Sequence, residues 1–233
     1  MVKQLDIREY AIVSDFDGTI TLEDTNDLLF LTHGSAENAE IEEDFRAGKK
    51  DDRETMRRHF EVARLTFEDY FSFLDSKVRI DAGFDAFLRY LRKHSLPFFI
   101  VSGGYRTGIA HVLGRERLEG VQIFANDLLQ ENGYLTPSYA TESHVCTEPT
   151  GPCGNCKKVC IDAIRRQTGK KILYAGDGLT DRCVVKKADL IFAKAGCALA
   201  EHCRATGSAY IPFTCFDEIL RRLEGADLQN LQP

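Results

Sequence analysis

Ala11-Ile12-Val13-Ser14-Asp15-Phe16-Asp17-Gly18-Thr19 is an apolar run that closes on two acids and a glycine. A short run of this kind, bounded by acids, reads as a buried parallel strand over 11–16. Alternate residues of a strand share a face, so Asp15 and Asp17 project together into the crevice beyond the strand end while Phe16 points into the core. Gly18 then lets the chain turn away beside a ligand.

From residue 24 to 75 the pattern turns helical, with helices expected at 25–32, 36–46 and 52–65 and a break at Gly48. A fourth helix starts at Thr66, where Thr66 and Asp69 form a capping pair ahead of Tyr70, Phe71, Phe73 and Leu74. Strand–helix alternation then resumes. A helix over 82–94 leads to a strand at 97–101 and a turn at Ser102-Gly103-Gly104, and a helix over 107–113 and a strand at 121–125 follow. Asn132-Gly133 signals a hairpin, a Pro-, Gly- and Cys-rich loop occupies 140–155, and a helix reaching Arg166 precedes a strand at 171–175. The turn Gly176-Asp177-Gly178, a helix from Thr180 and a strand over 190–193 complete the series. Repeated β–α units imply an α/β fold: a Rossmann-like parallel sheet flanked by helices. Residues 1–21 and 79–233 are expected to form that core, and 22–78 a small inserted α-helical domain.

Every strong chemical signal lies where an expected strand ends, which is where parallel sheets bind ligands. The second strand closes on Ser102 and the freed backbone amides of Gly103 and Gly104, suited to holding phosphate oxygens. The third closes on Asp177 and Asp181, four residues and so one helical turn apart. Taken singly, each piece has an ordinary reading: a strand-ending turn, a plain loop, a helix cap with a surface acid. Together they put four carboxylates at one crevice, where they repel unless a cation sits among them. Oxygen-only ligands of this type suit Mg²⁺, which keeps several waters and takes a phosphate oxygen from the substrate.

The constellation resembles the haloacid dehalogenase superfamily, specifically its phosphatases, at DFDGT (15–19), VSGG (101–104) and GDGLTD (176–181). The resemblance implies that Asp15 attacks phosphorus to form an aspartyl phosphate. It implies that Asp17 protonates the leaving alkoxide and then takes a proton from the hydrolytic water. Ser102 and the Gly103 amide would bind phosphoryl oxygens, and Asp15, the Asp17 carbonyl and Asp177 would hold Mg²⁺ with Asp181 in support. The superfamily also needs a lysine near the start of the helix before the last motif. Lys157 and Lys158 are the candidates, and Lys157 is preferred. A carboxylate nucleophile divides the transfer into two steps, and a general acid at Asp17 suits a phosphomonoester, whose alkoxide leaves poorly.

The helical insertion resembles the cap of the phosphoserine-phosphatase branch. Within it, DFDGTIT (15–21), CGNCK (153–157) and the GDGLTD context resemble the 2-hydroxy-3-keto-5-methylthiopentenyl-1-phosphate phosphatases of methionine salvage. Phosphoserine phosphatases usually carry a glutamate nine residues after the nucleophile. Asp24 stands there in this chain and weakens a phosphoserine assignment. Asp24 and Arg58 are the expected substrate contacts of the cap, with a surface salt bridge as the alternative for Arg58. A phosphotransferase on the same scaffold and a catalytically silent phosphate-ligand sensor are the competing readings. The co-occurrence of Asp15, Asp17, Lys157, Asp177 and Asp181 argues against the sensor.

Eight cysteines are many for 233 residues. Cys146, Cys153, Cys156 and Cys160 lie close together with His144 beside them, a spacing that fits ordinary thiols and a second metal or redox cluster equally. Nothing at the N-terminus reads as a signal peptide, so disulfides are disfavoured and a cytoplasmic setting is expected. The net charge of −6 argues against nucleic acid as a partner. No apolar stretch approaches the roughly 18 residues that cross a bilayer, so no membrane partner is expected. The expected partner is a small phosphorylated metabolite, and a homodimer stays open.

Overall fold

The computed structural model describes residues 6–141, 144–146, 151–225 and 228. In chain order the elements are β1 (Tyr10–Ser14), α1 (Thr25–His33), α2 (Ala36–Arg46), α3 (Asp52–Ala63), α4 (Phe67–Lys77), α5 (Phe84–Lys93), β2 (Phe98–Tyr105) and α6 (Arg106–Leu118). Then come β3 (Gln122–Glu131), β4 (Tyr134–Ser138), α7 (Lys157–Thr168), β5 (Lys171–Gly176), β6 (Leu190–Lys194), α8 (Ala198–Thr206), β7 (Ile211–Phe213) and α9 (Phe216–Glu224). The strands form one sheet in the order β4-β3-β2-β1-β5-β6-β7. All neighbours are parallel except the hairpin pair β3 and β4.

Every residue of β1 is buried because both of its faces meet an apolar layer. Tyr10 and Ile12 pack with Phe84 and Phe87 of α5, Ile109 of α6 and Phe216 of α9, whereas Ala11 and Val13 pack with Ile161 and Ile164 of α7 and Leu199 of α8. The chain leaves β1 to build β2 and β3 on one side, then returns to build β5, β6 and β7 on the other. That reversal opens a crevice at the carboxyl end of β1.

Helices α1 to α4 fall between β1 and α5; Leu29, Phe30, Phe60, Tyr70, Phe73 and Leu74 of α1, α3 and α4 form a cluster with Tyr105 of β2, Leu128 of β3 and Leu135 of β4. The two connections to this insertion pair with each other: the Leu22 amide donates to the Arg79 carbonyl and the Asp81 amide to the Ile20 carbonyl, each at 2.9 Å. Side-chain caps start all four helices, from Asp24, Ser35, Asp51 and Thr66. The Thr66–Asp69 pair forms a reciprocal capping box, satisfying amides that the first turn otherwise leaves bare. Among the described residues no helix is long and apolar enough to cross a membrane.

Local details differ from expectation. Ser102-Gly103-Gly104 is not a turn; β2 continues to Tyr105 through a register irregularity after Val101, and the Gly104 amide donates to Ser102 Oγ at 2.8 Å. Helix α6 passes Leu113 to reach Leu118 across a kink at Gly114, whose φ of 67° interrupts the helical backbone. Strand β3 runs to Glu131 because Asn132 and Gly133, both at positive φ, turn it back into β4. The helix expected from Thr180 is a single 3-10 turn, Thr180–Val184. Beyond the last expected strand, at 190–193, the chain adds α8, β7 and α9.

Candidate active site

Asp15, Asp17, Gly103, Gly104, Lys157 and Asp177 line one cavity of about 570 Å³ at the carboxyl ends of β1, β2 and β5. Four chain segments thus meet where the sheet reverses. Gly18 makes the meeting feasible. It sits at φ +71°, and a Cβ there would lie 2.5 Å from Asp177 Oδ2. Gly104 plays the same part beside Asp17, since a Cβ on it would come within 2.5 Å of Asp17 Oδ2.

Lys157 is the first residue of α7, where the helix dipole disfavours a cation. It is nevertheless almost fully buried, because its Nζ donates to Asp15 Oδ2 at 2.7 Å and to Asp181 Oδ1 at 2.5 Å. Burial alone would discharge the ammonium, but the two carboxylates outweigh it and hold the Lys157 pKa well above the usual lysine range. The remaining oxygen of Asp15 accepts the Phe16 amide at 2.7 Å. Lys158, the other candidate, does not line the cavity.

Asp17 is 7% exposed, and two hydroxyls donate to it: Thr25 Oγ1 to Oδ1, and Ser102 Oγ to Oδ2 at 3.0 Å. Burial raises its pKa, and those two hydrogen bonds oppose the rise. Asp177 is pushed up to about 6, first by burial and then by its neighbour Asp181. Thr19 Oγ1 donates to Asp177 Oδ1 at 2.6 Å, and the Asp177 carbonyl accepts the Leu199 amide at 2.8 Å, near the start of α8.

Oxygens of Asp15, Asp177 and Asp181 lie within 4.8 Å of one another. Counting Asp17, four carboxylates face one ammonium, and a divalent cation offsets the excess charge. The donor set is all oxygen, so these residues fit Mg²⁺. Asp15 and Asp177, which open on the cavity, are the residues that would hold it. Asp181, expected in support, belongs to the same group of oxygens and is fully buried, with hydrogen bonds to both of its oxygens. Lys157 and the Tyr174 hydroxyl donate to Oδ1, and the amides of Asp177 and Gly178 donate to Oδ2 at 3.1 and 2.8 Å. It shapes the loop that presents Asp177.

Two expectations change. Ser102 does not face the cavity: it is fully buried, with its hydroxyl turned to Asp17 by the irregularity in β2, so the wall there is Gly103 and Gly104. Arg58 lies away from the cavity on the outer surface of α3, paired with Glu37 at 2.6 Å and Glu61 at 3.1 Å. Its helix turns that side to solvent while Asp52 and Met56 face inward. Asp24 does reach the cavity, where its carboxylate also caps α1 by accepting the amides of Asn26 and Asp27.

Sequence reasoning overlooked Asn155 and Arg53. Asn155, within CGNCK, is 2% exposed and donates to the carbonyls of Ser102 at 2.9 Å and Phe124 at 2.8 Å, fastening the loop before α7 to β2 and β3. Its position inside the quoted motif was the available signal. Arg53 of α3 donates to the carbonyls of Thr141, His144 and Cys153 at 2.7, 3.1 and 2.9 Å, and nothing in the sequence marked it. The cysteine group divides. Cys146 and Cys156 come together with His144, whereas Cys160 donates to Asn155 Oδ1 and Cys153 is buried outside the trio; all eight cysteines are free thiols.

A buried ammonium clamped between two acids, at the reversal point of a parallel sheet, suits a hydrolase that handles phosphate. The chain belongs to the haloacid dehalogenase-like hydrolases, whose family model matches residues 12–186. It is 28% identical to the polyol phosphate phosphatase PYP1 of Saccharomyces cerevisiae, over 92% of each chain. It is 29% identical to a 2-hydroxy-3-keto-5-methylthiopentenyl-1-phosphate phosphatase from Exiguobacterium, covering 93% of this chain and 98% of the relative. In fold it resembles a phosphoserine phosphatase solved as a phospho-aspartyl intermediate analogue, with a TM-score of 0.70 at 21% identity over 92% of this chain and 98% of that one.

Proposed function

We propose that this phosphatase is Mg²⁺-dependent, forms an aspartyl phosphate on Asp15, and acts on monoesters of small, uncharged, hydroxyl-bearing alcohols. The 2-hydroxy-3-keto-5-methylthiopentenyl 1-phosphate of methionine salvage is the particular candidate. The catalytic part rests on the contact of Lys157 with Asp15, which sets a positive charge against a cavity-lining carboxyl whose pKa burial and Asp181 push up. Asp15 attacks phosphorus, the bond to the alkoxide breaks, and Asp17 gives the departing oxygen its proton. Water then attacks the acyl phosphate, Asp17 takes the proton back, and phosphate leaves with Asp15 restored. Mg²⁺, when bound by Asp15 and Asp177, supplies neutralising charge to the phosphoryl oxygens. The hydroxyls of Thr25 and Ser102 orient the Asp17 carboxyl, and Lys157 balances charge on the attacking group.

The substrate part rests on the cavity's outer wall. We assign residues 22–78 the role of a cap, which contributes Asp24, Asp27, Glu42 and Asp52 together with Phe45 and Met56. Among the described residues Lys157 is the single basic side chain lining the cavity. Carboxylates accept hydrogen bonds from hydroxyls and repel an anionic leaving group, and the two apolar side chains suit a short carbon or thioether tail. Both relatives are named for phosphate esters of uncharged, oxygenated alcohols.

A steady-state panel in Mg²⁺ tests the reading, comparing the methionine-salvage ester, linear polyol phosphates and phosphoserine. The uncharged esters should exceed phosphoserine in kcat/KM by about tenfold or more, the effect of roughly 1.4 kcal/mol of differential binding. Phosphoserine as the best substrate would reject the assignment.

A further inference from the structure

We propose that His144, Cys146 and Cys156 form a structural zinc site separate from the catalytic acids. One nitrogen of His144 and the sulfurs of Cys146 and Cys156 lie within 4.8 Å of one another. In tetrahedral zinc, Zn–S of about 2.3 Å and Zn–N of about 2.0–2.1 Å put ligand atoms roughly 3.3–3.8 Å apart. Side-chain adjustment of about an ångström therefore closes the site. Two thiolates and an imidazole are a borderline-soft set, which selects zinc over the hard Mg²⁺ of the neighbouring carboxylates. Cys156 is buried, while His144 and Cys146 are half-buried, so solvent could reach the fourth position of a bound ion.

The backbone that carries these ligands is already held in place. Arg53 clamps the carbonyls of Thr141 and His144, the His144 amide donates to the Thr141 carbonyl at 2.9 Å, and the Cys156 amide donates to Thr141 Oγ1 at 2.8 Å. Cys156 is also the N-cap of α7, directly before Lys157. Zinc would therefore tie the 144–146 segment to the end of the helix that carries the buried lysine. Binding displaces a proton from each thiol and oxidises nothing.

Zinc content, measured by mass spectrometry on the full chain, decides the matter independently of any phosphatase assay. After loading with Zn²⁺ and gel filtration in metal-free buffer, the parent should retain about one zinc per chain, as a single site requires. His144→Ala and Cys146→Ser should each lose most of it, and Cys215→Ser, which lies outside the trio, should keep it. Co²⁺ in place of zinc should give a thiolate-to-cobalt charge-transfer band in the parent that both ligand variants lack. Hydrogen exchange across 153–160 should slow when the parent is loaded. A parent that holds no zinc, a Cys146–Cys156 disulfide in place of metal, or zinc kept by both ligand variants overturns the proposal. Because the parent measurement stands alone, poor folding of a variant leaves the test intact.

Discussion

Lys157 Nζ donates to Asp15 Oδ2 at 2.7 Å and lies 2.5 Å from Asp181 Oδ1, so one buried ammonium joins the end of β1 to the loop after β5. Removing it leaves two buried carboxylates without their partner, which destabilises as well as inactivates. Lys157→Ala should therefore lose ~10²–10³ in kcat, the scale of a missing charge stabiliser, and should melt several degrees lower. Lys158→Ala should change neither by much, since Lys158 lies off the cavity. Steady-state kinetics with a melting curve on both variants checks the ranking, and equal losses would refute the assignment.

Asp17 and Ser102 should act as a pair. Asp17→Asn should cost roughly 10²–10⁴ in rate on an alkyl ester, the usual contribution of a general acid–base, and less in the release of an aryl leaving group that needs no proton. Because the Ser102 hydroxyl donates to Asp17 Oδ2, Ser102→Ala should show the same tilt toward alkyl esters at smaller amplitude. A Ser102→Ala loss equal for alkyl and aryl esters would return that hydroxyl to phosphate binding.

What the sequence made legible follows from what is local. The period of the apolar residues located β1 and the four inserted helices, and the Thr66–Asp69 cap appeared as read because capping is settled within one turn. Asp15, Asp17 and Asp177 could be grouped because strand ends converge in a parallel sheet, whereas Lys157, at the start of α7, was reached through the family resemblance. Side-chain direction was not legible. Whether Ser102 faces phosphate or Asp17 depends on a backbone irregularity in β2, and whether Arg58 faces the cavity depends on the rotation of α3. Arg53 escaped notice because its acceptors are carbonyls about ninety residues away, which no pattern of side chains encodes.

Arg58 provides a control on that rotation. Its guanidinium is half-exposed and bridges Glu37 and Glu61, surface contacts that water and salt screen to little effect. Arg58→Ala should leave kcat/KM nearly unchanged on every substrate. A selective loss on the best ester alone would bring Arg58 to the substrate after all.

Asp177 sets a pH dependence that involves stability. Its pKa rises from 3.8 to about 6 on folding, through burial and the neighbouring Asp181. A carboxyl raised in this way holds its proton more tightly when folded, so stability falls as pH rises between those values. The cost is absent below 3.8 and fully present above about 6. Metal-free Asp177→Asn should therefore melt higher than the metal-free parent near neutral pH, with the gap closing toward pH 4. Mg²⁺ should raise the parent's Tm near neutral pH, much less in acid, and little in the variant. Calorimetry across that range checks it, and a metal-free parent that outmelts the variant by more as pH rises would contradict it.

The account stands on Asp15 as the group that receives phosphate, and one trapping measurement addresses it directly. Asp17→Asn should slow hydrolysis of the acyl phosphate, so the variant is mixed with an activated aryl phosphate and Mg²⁺, quenched in acid within the first turnover, and digested for mass spectrometry. A phosphoryl group should appear on the peptide carrying Asp15, be removed by hydroxylamine, and be absent when Asp15→Asn is added to the same chain. Release of the aryl alcohol in that first turnover with no phosphoryl group on Asp15, or with one on another residue, would contradict the mechanism.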